Sequence, residues 1–288
     1  MSVAAGDGPE ALGIDLAQAM DLCEVVEARS MWGTVAMSPR ETRRALGIRA
    51  ARIGSGIALA TAHDPTGGHW NKALAHGLTE PVDDALIAEL VAFYRASGAP
   101  AAAIQIAPAL LPEDWEDIAA RHGLAGGSTV VKMLRHRRTP VAPAATELDL
   151  RGVDARGAHE WAATFLTGFG MPTQPDLVDM IASTVGRDFY AYGAWDGEAL
   201  VGAACVFIGG DAAQLAGAST LPAARGRGAQ SALLSERITA ATDAGCVWIA
   251  GETGAEKDGE HNPSLHNMLR AGFVPMYERR NWVWRRPA

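Results

Sequence analysis

The sequence predicts an α/β protein made of two tandem copies of one mixed-sheet fold. Three observations carry this reading. The chain has 288 residues, enough for two domains of ordinary size. Of these, 48% are apolar, so two cores can be filled. And one succession of elements recurs: "ALIAELVAFYRASG" (Ala85–Gly98) lies without gaps on "ALLSERITAATDAG" (Ala232–Gly245). An apolar strand follows each helix, "AAAIQIAP" and "CVWIAGET". Each strand leads to a helix closed by glycine, "WEDIAARHGL" and "LHNMLRAGF", and then to a final strand, "STVVKMLRHR" and "NWVWRR". The proline-containing segment Arg135–Leu150 is extended and poor core material. It divides the chain into domains 1–140 and 141–288.

In the second half a short strand is expected at 146–150. Helices follow at 157–170 and 175–186, the latter with Pro175 at its start. The stretch 188–210 reads as two strands around the turn Asp196-Gly197. A strand at 213–221, an amphipathic helix at 229–245 closed by Gly245, a strand at 246–253 and a helix at 263–272 come next. A last pair of strands is expected over 273–286.

Composition narrows the function classes. A net charge of −8 argues against nucleic acid and anionic membrane as partners and suits a cationic substrate. Cys23, Cys205 and Cys246 are odd in number and far apart, which is neither a disulfide framework nor a metal pattern. They read as buried small hydrophobes in a cytoplasmic protein. The N-terminus has no basic segment followed by an apolar one, and the most apolar run, "GAACVFIGG", is too short to span a bilayer. His261 and His266 are five apart, not on one helix face, so no metal site is expected.

The most informative stretch is "LPAARGRGAQSALL" (Leu221–Leu234), between a strand and a helix. The first backbone N–H groups of a helix lack partners and carry partial positive charge. Glycines let a ligand approach the backbone, and Arg225 and Arg227 add full charges. Together they form a cradle for a phosphate or pyrophosphate. It is not a P-loop, since no Gly-Lys-Ser/Thr follows. "GRGAQS" also lacks the third glycine of the dinucleotide fingerprint.

At these residues the chain resembles the GCN5-related N-acetyltransferases (GNAT). Their Arg/Gln-x-x-Gly-x-Gly/Ala signature reads here as Arg225, Gly226, Arg227, Gly228, Ala229 and Gln230, with Gln in the last place. The step "STLPAA" before it and "NPSLHNMLRAGF" (Asn262–Phe273) after it also fit. The resemblance covers 146–288, and the first half only as a degenerate copy. It implies acetyl-CoA as cofactor, with the pyrophosphate on the amides of Arg225 to Gln230. It further implies pantetheine along Ser219, Thr220 and Leu221, where a backbone N–H would stabilise the oxyanion. Asn262, Ser264 and Asn267 would face the CoA arm.

Transfer to an amine needs a base and can use an acid. The family's usual Tyr, four residues before the Gly of Gly-Phe, is Met268 here, so the standard acid is missing. Glu252, at the end of "CVWIAGE", is the preferred base, directly or through water. Tyr277 is the substitute acid. In the first half, "HGLTEPVDDALIAEL" puts Glu80, Asp83 and Asp84 where the cradle should be, so that copy should not bind CoA. Its expected part is to complete the acceptor pocket with "CEVVEARSMW" (23–32) and "HDPTGGHWN" (63–71). Trp32, Trp70 and Phe169 are the expected acceptor contacts. The reading is a tandem acetyltransferase acting on a primary amine of a small molecule, in the likeness of the aminoglycoside-modifying, kasugamycin-type members. The alternatives are a protein or peptide α-amine acetyltransferase and a non-catalytic acyl-CoA-binding regulator. Homodimerisation is left open.

Overall fold

The computed structural model describes residues 8–141, 144–257 and 259–287. The first half opens with helix α1 (Leu16–Val35), where Asp15 caps the N-terminus by accepting from the Gln18 N–H. The helix is buried along most of its length, including Glu24 and Glu27. It packs across the strands of both halves. Helix α2 (Arg40–Ala45) and strands β1 (Ile48–Ile53), β2 (Gly56–Thr61) and β3 (Lys72–Leu74) follow. Helix α3 (Asp84–Ser97), β4 (Ala101–Gln105), α4 (Trp115–His122) and β5 (Leu124–His136) complete the half.

The second half comprises β6 (Asp149–Val153), α5 (Ala158–Gly168), α6 (Pro175–Ala182), β7 (Phe189–Asp196) and β8 (Ala199–Ile208). Then come β9 (Ala212–Thr220), α7 (Ala229–Asp243), β10 (Trp248–Gly254), α8 (Pro263–Arg270) and β11 (Val274–Arg285). Apart from β6, the two halves have the same order, α1 to β5 answering α5 to β11. The duplicated architecture expected from the sequence is thus present. The first five elements of the first half were not assigned from sequence.

Its assembly differs from two sheets side by side. The described strands form one sheet in the order β1-β2-β3-β4-β11-β5-β10-β9-β8-β7-β6. The last strand of each half lies next to the opposite half. Thus β11 inserts between β4 and β5, and β5 separates β11 from β10. The expected pair of strands over 273–286 is a single strand with two irregularities of register, at Pro275/Tyr277 and Arg280/Trp282. Its apolar residues explain the exchange. Trp282 and Trp284 are buried in the first half's core, against Trp115 (5.2 Å between ring centroids) and Tyr94 (6.2 Å). Burying such rings is among the largest single gains available to a strand.

The three cysteines are free and buried, as expected. Among the described residues, no helix is long and apolar enough to cross a membrane.

Candidate active site

The parallel strands β9 and β10 pair only from Ala212 to Gln214 and from Trp248 to Ala250, then separate. A bulge on β9 lies at the point of separation. Three steps from Leu215 to Ala218 face two steps from Val206 to Ala204 on β8. Gly217, at φ +111°, makes the bend. Past it, the edge of β9 that faced β10 is open to an added, extended ligand.

This edge leads to the N-terminus of α7. Gly228 caps it at φ +80° and offers no side-chain acceptor to the first-turn amides. The equivalent helix α3 is closed: the Asp83 carboxylate accepts from the Leu86 N–H, and Asp84 pairs with Arg121. An anion can therefore meet the amides of α7 but faces a carboxylate on α3. A niche of about 190 Å³ beside α7 is lined by Ser219, Thr220, Arg225, Ala229, Gln230 and Phe169.

Several expected CoA contacts are committed elsewhere. The Arg227 guanidinium pairs with Asp196 at the β7–β8 turn, 3.0 Å between Nη2 and Oδ1. The Leu221 N–H donates to the Val201 carbonyl, so it is not free for an oxyanion. The Ser219 hydroxyl donates to the Phe165 carbonyl. Asn262 caps α8, accepting from the Ser264 N–H and donating to the Gly254 carbonyl. Ser264 is half-buried behind it. Asn267 donates to Gln230 and faces a groove between α7 and α8. Gly226 is exposed, with φ +78°.

A cavity of about 240 Å³ opens where β9 and β10 part. Trp70, Trp161, Phe165, Phe169 and Leu215 give it an apolar body, and Glu27, Glu252, Lys72 and Gln214 give it polar walls. Of the expected acceptor contacts, Trp70 and Phe169 line it. Trp32 does not: it lies under the Arg52 guanidinium, 5.3 Å away. Trp70 and Lys72 are set by the "HDPTGGHWN" loop. The Asp64 carboxylate accepts from the N–H groups of Thr66, Gly68 and Trp70. Asn71 locks the strand start, accepting from the Thr61 N–H and donating to the Ala101 carbonyl.

Glu252 stands on this cavity wall at the edge of a buried ionic cluster. Its Oε2 accepts from Lys132 (3.1 Å) and Arg279 (2.9 Å), while Oε1 has no partner among the described residues. Glu27 takes Lys132 (2.7 Å) and Arg279 (2.8 Å), and Glu24 takes Arg279 (2.6 Å) and the Tyr277 hydroxyl (2.8 Å). Burial works against the charge on Glu27, but Arg279 and then Lys132 outweigh it, holding the carboxyl well below the usual range. Burial and Arg279 oppose the Lys132 charge, yet Glu27 and Glu252 keep its ammonium above its ordinary range. Tyr277 is pushed far above its ordinary range by burial and then by Glu24. It does not line the cavity, so its hydroxyl serves the cluster and not a leaving group. Met268, in the place of the usual acid, is a core residue, 5% exposed.

The sequence reading did not name Lys132 or Arg279, and it reached Glu24 and Glu27 only as the acidic residues of the stretch 23–32. The available signal was Lys132 inside the apolar run "TVVKML" and Glu24 and Glu27 three apart on one helix face; Arg279, within "YERRN", gave none. It also expected no metal cluster, yet Glu256, His261 and His266 come within 4.8 Å of one another. The two rings stack, and His266 meets Glu256 at 2.9 Å.

Residues 157–273 match the family model described as the acetyltransferase (GNAT) family. That segment holds the splayed strands, the uncapped helix and Glu252. In this segment the chain is similar to the GNAT acetyltransferases. Solved structures show the same fold over nearly the whole chain. A GCN5-related N-acetyltransferase from Kribbella flavida is 16% identical, with 92% of this chain and 95% of that chain covered and a TM-score of 0.58. One from Sphaerobacter thermophilus is 14% identical, with 94% of each covered and a TM-score of 0.58. A tandem GNAT protein from the clavulanic acid biosynthesis pathway is 14% identical, with 91% and 96% covered and a TM-score of 0.55. No curated protein matches the sequence.

Proposed function

We propose that the chain transfers an acetyl group from acetyl-CoA to the primary amine of a small molecule, using one site in its GNAT half, residues 141–288. The observation that carries this is the free Oε1 of Glu252 on the wall of the cavity where β9 and β10 separate. Acetyl-CoA, when bound, supplies a thioester that a neutral amine can attack. The residues fit it: the uncapped amides of α7 meet the pyrophosphate, Arg225 adds charge, and the open edge of β9 takes the extended arm. The bulge at Ala216–Gly217 interrupts the ladder and supplies backbone donors near the reacting carbon. Glu252 receives the acceptor's ammonium and, directly or through water, its proton. The first half is a degenerate copy, residues 1–140, whose α1 and β3 close the acceptor cavity.

The cavity wall contributed by the first half favours a small acceptor over a protein terminus. An aromatic cavity of about 240 Å³ also gives no support to a polycationic aminoglycoside, since drug-sized ligands take roughly 300–1,000 Å³. A second reading, acyl-CoA binding without turnover, is favoured by Met268 and by the engagement of Tyr277 with Glu24. A thiol-release screen with acetyl-CoA over amines, amino acids, polyamines and aminoglycosides tests the proposal. Thiol release with a matching N-acetyl product supports it. Tight CoA binding without release from any acceptor selects the second reading.

A further inference from the structure

Resting on the reading of the cavity as an acceptor site, we infer that its acceptor carries a carboxylate as well as an amine, joined by an apolar or aromatic body. The buried cluster holds three carboxylates, Glu24, Glu27 and Glu252, and two cations, Lys132 and Arg279. Its ion pairs leave one oxygen without a partner, Glu252 Oε1, on a residue that lines the cavity, and the Lys72 charge also reaches Glu27. An ammonium at this wall meets a free carboxylate oxygen, so the cavity favours a cation there.

The first half's wall has the opposite need. Lys72 lines the same cavity and has no ion pair or hydrogen bond among the described residues. The neighbouring Trp70 is 6% exposed, and its indole N–H has no partner. Trp70 precedes β3 and Lys72 is its first residue, and both line the cavity. A half-buried cation without an ion pair fits a carboxylate. Between the two poles the walls are Trp161, Phe165, Leu215 and Met31. An acceptor with separated ammonium and carboxylate and an apolar middle meets all three surfaces. A plain amine would leave Lys72 facing an apolar ligand.

Three acceptors with one aromatic body test this: an amine with a carboxylate, the same amine with a carboxamide, and the amine with neither. Thiol release should give the carboxylate compound a kcat/KM at least tenfold above the other two. In Lys72→Gln that ratio should collapse toward one. Equal or better use of the plain amine by the wild type would overturn the inference, as would an unchanged ratio in Lys72→Gln. If no acceptor is turned over, it is the acetyl-transfer reading that has failed. Binding still decides the inference in that case, read by the fluorescence of Trp70 and Trp161 in the full chain. The carboxylate compound should bind the wild type at least tenfold more tightly than Lys72→Gln, and equal binding would overturn the proposal.

Discussion

Replacing Glu252 by Gln keeps an acceptor and donor of the same size and removes the charge. If Glu252 takes the proton of the attacking amine, kcat falls by roughly 10²–10⁴-fold while KM for acetyl-CoA stays put. A rise confined to the acceptor KM would make Glu252 an anchor only. Tyr277→Phe should leave kcat near the wild-type value and lower stability by about 1 kcal/mol, because its hydroxyl bonds to Glu24. Steady-state kinetics and urea unfolding on the two variants separate these roles. The acid response belongs in part to His76 and in part to His69, whose pKa burial lowers to about 4. His76 is 1% exposed, with its Nε2 against the Ile57 carbonyl. Burial outweighs that contact and lowers its pKa from 6.5 to about 4. Its folded form stays neutral while the unfolded chain takes up a proton below 6.5, so stability rises with pH across this window and is lost as pH falls. At about 1.4 kcal/mol per pH unit the loss reaches about 3 kcal/mol by pH 4. His76→Gln should flatten this part of the profile in urea unfolding at pH about 7 and about 4.5. An unchanged acid loss would assign it to other groups.

At the scale of elements, the contrast between α3 and α7 is the part of the site most legible in the sequence. "LTEPVDD" against "ARGRGAQ" already told that one helix start is filled by a carboxylate and the other left open. What the sequence did not reveal was which arginine faces the ligand, because the pairing of Arg227 with Asp196 depends on a hairpin turn that folds back from another part of the chain. Nor could it show that Glu252 sits on Lys132 and Arg279, residues 120 and 27 positions away. The uncapped helix makes a direct prediction. Gln230→Glu adds a carboxylate to the first turn of α7, which favours the helix dipole while repelling a pyrophosphate. Thermal stability should hold or rise while CoA affinity falls by about tenfold or more, about 1.4 kcal/mol. Unchanged affinity in calorimetry would remove the cradle from this position. Gly228 is a poor place for the same test, since a Cβ there would lie 2.3 Å from the Ala145 carbonyl oxygen.

At the scale of the whole molecule, the repeat was readable because helix periodicity and glycine caps are local. The strand exchange was not, because "STVVKMLRHR" and "NWVWRR" pair with either neighbour equally well on pattern alone. Long-range burial of Trp282 and Trp284 in the first half decides it. The exchange links the two cores, so unfolding should show one calorimetric transition, with calorimetric and van't Hoff enthalpies in agreement. Two separate transitions would mean that the halves stand alone. The exchange also brings the first half's α1 and β3 to a site whose proposed CoA contacts all lie in the second, which is the central claim: two copies of one fold, one working site. The measurement that tests it most directly is a calorimetric titration of CoA into the full chain. The account predicts one site per chain, weakened in Gln230→Glu. Two sites, or one site that Gln230→Glu leaves at wild-type affinity, would contradict it.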